Sequence, residues 1–120
     1  MAGIFDLQIN QGEDYLQYFQ WLQMDGITPV DITNFTGACQ VRSSAQSAGI
    51  LVTPLFTIVD SVNGVFSLSL TSVQSAAIPT SGGDYLDVSR YVYDVVLYSP
   101  AGTAFRVLNG RAIISPEVTR

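Results

Sequence analysis

Between residues 64 and 71 the chain reads Gly-Val-Phe-Ser-Leu-Ser-Leu-Thr, with Phe66, Leu68 and Leu70 at every second position and Ser67, Ser69 and Thr71 between them. A period of two puts the apolar groups on one side of an extended backbone and the hydroxyls on the other, the pattern of a strand with one dry face and one wet face. Such a strand must be covered on its dry face, and short alternating segments set off by turn residues recur along this chain. That pattern constrains the fold to an antiparallel sandwich or barrel.

The neighbouring segments extend the reading. Pro54–Val59 is a second strand, joined to the first through Asp60-Ser61-Val62-Asn63-Gly64, where Asn63-Gly64 suits a tight hairpin. Tyr91–Tyr98 is β-branched and aromatic, meets the turn Ser99-Pro100-Ala101-Gly102 and continues into Ala104–Leu108, a second hairpin. Thr36–Arg42 and Ala112–Ile114 add further strands. Between the hairpins, Thr71 and Gln74 have the spacing of a capping box, and Pro79 stops the helical turn they begin.

The stretch Tyr15-Leu16-Gln17-Tyr18-Phe19-Gln20-Trp21-Leu22-Gln23 fits two periods. A helix would align Tyr15, Tyr18, Phe19 and Leu22, whereas a strand separates Leu16, Tyr18, Gln20 and Leu22 from Tyr15, Gln17, Phe19 and Trp21. Its aromatic content and the Asp25-Gly26 turn beyond it favour the strand, with apolar groups on both faces. Only one face of a two-layer domain meets the core, so the other is a candidate contact surface.

No linker, charge run or repeat divides the 120 residues, and residues 1–120 read as one domain. Charged residues make up 12% of the chain, against about 25% in an ordinary domain, so Ser, Thr, Gln and Asn take up much of the exterior. Five Arg, no Lys and ten acids give a net charge of −5, which argues against nucleic acid as a partner. No stretch is apolar for long enough to span a membrane as a helix, and the N-terminus lacks the basic-then-apolar order of a secretory leader, which implies a soluble protein made in a cytoplasm.

The absence of His removes Ser/His/Asp and Cys/His catalysis and His-ligated metals, and the absence of Lys removes Schiff-base chemistry. The lone Cys39 cannot form an internal disulfide and reads as a small buried side chain. Asp84 and Asp87 form the nearest thing to a carboxylate pair but read as loop acids or turn caps rather than a glycosidase pair or calcium site. Asp94 lies within an apolar strand and requires donors, which Arg106 or Arg111 could supply as an ion pair. Tyr91 or Tyr93 stands where a sandwich places its tyrosine corner. Neither a catalytic residue nor a cofactor is expected, and an exposed Tyr15, Tyr18 or Trp21 leaves a saccharide site as a rival reading.

The order of several segments resembles the small immunoglobulin-like virion proteins of tailed bacteriophages, related to the N-terminal domain of phage baseplate upper proteins. The segments are Gln11-Gly12-Glu13-Asp14, Met24–Thr36, Gln40-Val41-Arg42, the Asn63-Gly64 hairpin, Ser75-Ala76-Ala77-Ile78-Pro79, Tyr93-Asp94-Val95 and Val107–Arg120. The match spans nearly the whole chain, and the closing L-x-G-x-x-x-x-S-P-E-V-T-R is its most specific part. The resemblance implies an immunoglobulin-like antiparallel β-sandwich with one short helical turn. It further implies a non-enzymatic building block of the virion, assembled in the bacterial cytoplasm, in a tail, baseplate or fibre-attachment region. Its partners would be other virion proteins and further copies of itself in a symmetric oligomer. Lacking a C-terminal stalk, the chain is expected to be an adaptor or a capsid decoration protein rather than a receptor binder. The expected interface consists of Tyr15, Tyr18, Phe19 and Trp21, with Phe5, Leu7, Ile9, Ile114 and Val118 offering sheet edges for β-augmentation and Pro116 confining its strand to an edge.

Overall fold

The computed structural model describes residues 3–44, 46, 49–80 and 83–117. Two sheets face each other. One is ordered β1-β8-β7-β4, from Gly3–Ile4, Ala104–Ser115, Ser89–Tyr98 and Thr36–Arg42, and β2 (Leu7–Asn10) extends its outer edge beside β8. The second is ordered β3-β6-β5, from Tyr15–Gln20, Val65–Leu70 and Leu55–Asp60. The β1 and β2 strands run parallel to β8, and the other pairings are antiparallel.

In an immunoglobulin sandwich, strands B, E and D form one sheet and C, F and G the other. Here β3, β6 and β5 take the first three places and β4, β7 and β8 the others, so the chain is an all-β, immunoglobulin-like sandwich by its own strand order. It departs in one respect: the first strand lies beside β8 and not beside β3.

The alternation read from the sequence sets the core. Phe66, Leu68 and Leu70 of β6 meet Val41, Val95, Leu97, Ala112 and Ile114 of the facing sheet, all buried. Both expected hairpins form. The β5–β6 turn uses a positive φ at Gly64, where a Cβ would lie 2.6 Å from the Val30 carbonyl oxygen, and Asn63 stays in ordinary backbone space. The β7–β8 turn closes with Gly102 at positive φ and with Ser99 bonded to Thr103.

Asn109-Gly110 does not interrupt the last strand as expected from separate segments at 104–108 and 112–114. β8 runs through it, and Gly110 is needed because a Cβ there would lie 2.2 Å from the Phe5 carbonyl oxygen. At this crossing the Phe5 amide donates to the Asn109 carbonyl and the Arg111 amide to the Asp6 carboxylate. These bonds break the N-terminal segment into β1 and β2.

The one helix among the described residues, α1 (Ser72–Ala76), is capped as the sequence indicates, with Thr71 accepting from the Gln74 amide and the Gln74 side chain accepting from the Thr71 amide. Residues 11–14 dock it. Ser75 is fully buried, donates to the Glu13 carbonyl at 2.8 Å and accepts from the Gly12 amide, while Asp14 accepts from the Ser72 amide at 2.6 Å. Gln11 completes the joint by donating to the Ile78 carbonyl and accepting from the Glu117 amide. The Gln-Gly-Glu-Asp motif is thus the fastener between α1 and the end of β8.

Candidate partner interface

The expected interface residues separate into three groups. Leu7, Ile9 and Ile114 are 0–1% exposed and belong to the core. Ile114 lies in β8, which has partners on both sides, so it offers no edge; Leu7 and Ile9 lie in β2, an edge strand that pairs with β8 alone but turns these side chains inward over its four rungs with Ala112–Ser115. Tyr15, Phe19 and Trp21 also face inward, partly buried against the core. Phe19 stacks on Phe66 at 5.5 Å and meets the edge of Phe5 at 5.2 Å, and Trp21 packs on Phe105 and Phe35. The Phe5 ring remains 40% exposed and Tyr18 is 56% exposed. Val118 lies outside the described residues.

The strand reading of the aromatic stretch holds over Tyr15–Gln20, where burial alternates residue by residue. Its outer side supplies a surface that the expected set only touched. Register aligns Leu16 with Ser69 and Leu55, and Tyr18 with Ser67 and Thr57, in two cross-strand rows that carry no charge. Leu16, Tyr18 and Leu55 are each more than half exposed, and Val59 adds to them at the β5 bulge. Leu16 could have been found from the same alternation that exposes Tyr18; Leu55 needed the register with β6.

Beside β3, where the two sheets part, lies a groove of about 880 Å³ lined by Gly3, Phe19, Trp21, Phe66, Val107 and Leu108. Asp25 lies on its rim, ionised well below the usual carboxylate range because the Thr28 hydroxyl and the Thr28 and Ile27 amides donate to it.

The outer face of the other sheet is different in kind. Arg42 and Arg111 share a cross-strand row with Val92, Arg106 pairs with Val96, and Arg90 pairs with Ile113 on the same side. All four arginines among the described residues therefore occupy one face of an acidic chain. Arg106 lies 3.7 Å from Asp94, so the expected ion pair forms with Arg106; both side chains are largely exposed, and such a pair contributes little to stability.

Inside the sandwich, burial pushes the Cys39 thiol up to about 12, as expected of an inert core thiol. Tyr15 is also raised to about 12, first by burial and then by Cys39, and its buried hydroxyl has no hydrogen-bond partner among the described residues. Tyr91 makes the corner bond, donating to the Pro79 carbonyl, whereas Tyr93 donates to Phe5 across the N-terminal crossing. Asp84 and Asp87 accept from the Leu86 and Gly83 amides and act as turn caps.

The sequence matches no family model and no curated protein. Among solved structures it is similar to the second Ig domain from mouse polymeric immunoglobulin receptor, at 8% identity and a TM-score of 0.43, over 98% of this chain and 100% of that one. It is also similar to murine CRIg, at 10% identity and a TM-score of 0.40, over 94% of this chain and 92% of that one.

Proposed function

We propose that this chain is a non-enzymatic structural subunit of a tailed-bacteriophage particle, an adaptor in the tail or baseplate that docks on neighbouring virion proteins. The observation that carries the docking reading is the pair of uncharged rows on the outer face of the β3-β6-β5 sheet, where Leu16, Tyr18 and Leu55 lie open beside Ser69, Ser67 and Thr57 and the one carboxylate, Asp60, stands at the end of β5. Apolar and hydroxyl-bearing side chains without competing charge suit a contact made once and kept. Placement in a virion draws on the sequence resemblance, carried by Gln11–Asp14 and Val107–Arg120. The saccharide alternative keeps Tyr18, which is exposed, and Trp21, which lines the groove while packing on Phe35 and Phe105; docking is favoured because the open Leu16, Tyr18 and Leu55 side chains lie on a sheet face and not around that groove.

The test is immunogold labelling of purified particles with an antibody raised against this chain. Label at the tail or baseplate supports the proposal, label confined to the head moves the protein to capsid decoration, and particles devoid of the chain overturn a virion role. The interface is tested separately by Tyr18→Asp with Leu55→Asp, which should prevent incorporation into particles while leaving the melting temperature of the isolated chain within a few degrees, since both side chains are exposed.

A further inference from the structure

The immunoglobulin order places a first strand beside the one that β3 represents, and here that strand has gone to β8. Among the described residues, one edge of β3 is left without a strand. Trp21 donates its amide to the Gly64 carbonyl, and the register with β6 continues through Phe19, Gln17 and Tyr15. In an antiparallel ladder a residue turns both its N–H and its C=O to the same side, and successive residues alternate. The amides and carbonyls of Leu16, Tyr18 and Gln20 therefore point to the open side. The Gln17 side chain, at 3.3 Å from the Tyr18 carbonyl oxygen, bonds one of these groups in the absence of a strand.

Open edges are normally blunted by charge, proline, bulges or cover, because an unblunted edge is a template for another chain. The other edges here are treated in that way. β5 follows Pro54, is bulged between Ile58 and Asp60 and ends on a carboxylate; β4 exchanges hydrogen bonds with residues 51 and 52 and ends on Arg42; β1 and β2 are broken at Phe5-Asp6. β3, Tyr-Leu-Gln-Tyr-Phe-Gln, has none of these devices among the described residues.

We infer that β3 pairs with β3 of a second copy of this chain, antiparallel about a two-fold axis at Tyr18, to make one continuous six-stranded sheet. The register follows from the free groups: their centre is Tyr18, so Tyr18 meets Tyr18 and Leu16 meets Gln20, with about six hydrogen bonds across the axis. Charge does not oppose a like copy at this strand. Each chain carries a net −5, yet Tyr15–Met24 contains no charged residue, and in this register Asp14 falls opposite Leu22 of the second copy rather than another carboxylate. Six strands is an ordinary sheet size, whereas three is near the lower limit. The contact is about 20 Å long and buries a few hundred Å² per chain, below the roughly 800 Å² of a standard stable interface, so a dissociation constant of about 10 μM to 1 mM is expected. The inference needs neither a virion nor the outer face, so its failure would leave the proposed function standing, and the reverse is also true.

The experiment is sedimentation equilibrium of the whole chain up to about 1 mM, the weak limit of that range. The wild type should show reversible dimerisation. Leu16→Lys with Gln20→Lys, which sets lysine against lysine across the axis, should shift the dissociation constant upward at least tenfold, and Leu16→Glu with Gln20→Lys, which sets opposite charges together, should restore the dimer. Circular dichroism should show both variants folded, since residues 16 and 20 are exposed and far apart on one strand. A wild type that stays monomeric at the highest concentration would overturn the inference. So would equal dimerisation of both double variants, which would place the contact elsewhere, or Tyr18 amide protection that arises only when a different protein supplies the strand.

Discussion

Tyr15 shows how far a single side chain can depart from its apparent purpose. Its ring faces the core and its hydroxyl is buried without a protein partner among the described residues, an arrangement that costs about 1–3 kcal/mol relative to a group that needs none. Tyr15→Phe should therefore leave the fold intact and raise the melting temperature, measured by calorimetry; a lower value would mean the hydroxyl is satisfied in solution. Tyr15 and Cys39 both have folded-state values near 12, above their ordinary 10.0 and 9.0. Stability from these groups is present below pH 9 and is lost as the pH rises through the folded values, because the unfolded chain gives up its protons first. Urea midpoints should fall between pH 9 and 12, and Cys39→Ala should flatten that decline. At this scale the sequence indicated chemical type well: a buried thiol, an Asp94 ion pair and a corner tyrosine are all present. It left the choice between Arg106 and Arg111, or between Tyr91 and Tyr93, to geometry that only the β7–β8 register supplies.

The elements were legible wherever local chemistry decides them, as in the capping box of α1, the Ser-Leu-Ser-Leu alternation of β6 and the glycine turns. Thr71→Ala should destabilise the domain by about 1 kcal/mol in denaturant titrations, as loss of an N-cap does. What local pattern did not disclose was long-range pairing. Leu7, Ile9 and Ile114 alternate like any edge strand, and nothing near them in sequence announces that residues more than 100 positions apart become parallel neighbours. Gly110 marks that meeting, yet as Asn-Gly it reads locally as a turn. Gly110→Ala would force its methyl group against the Phe5 carbonyl and should cost about 1–3 kcal/mol, as overpacking does, with loss of protection at the Phe5 and Arg111 amides in hydrogen exchange.

Taken whole, the molecule has two unlike outer faces: one on the β3-β6-β5 sheet that is uncharged except for Asp60 at the end of β5, and one holding every arginine among the described residues. Net charge alone concealed this, because carboxylates in the turns, such as Asp25, Asp31 and Asp84, outweigh arginines that are concentrated on one sheet. Asp25 and Asp31 are held low by hydroxyl and amide donors in their own turns. Their contribution is present above the ordinary carboxylate value of 3.8 and is lost as the pH falls through the depressed values, so these turns should loosen in acid before the sheets do. The N-terminal strand has a mechanical consequence. Because Leu7–Asn10 runs parallel to Ala112–Ser115, tension applied before β2 and after β8 pulls the two strands along their length in opposite directions. The rungs are then loaded together in shear rather than peeled one at a time, so the domain should resist stretching along that line far better than its modest size suggests.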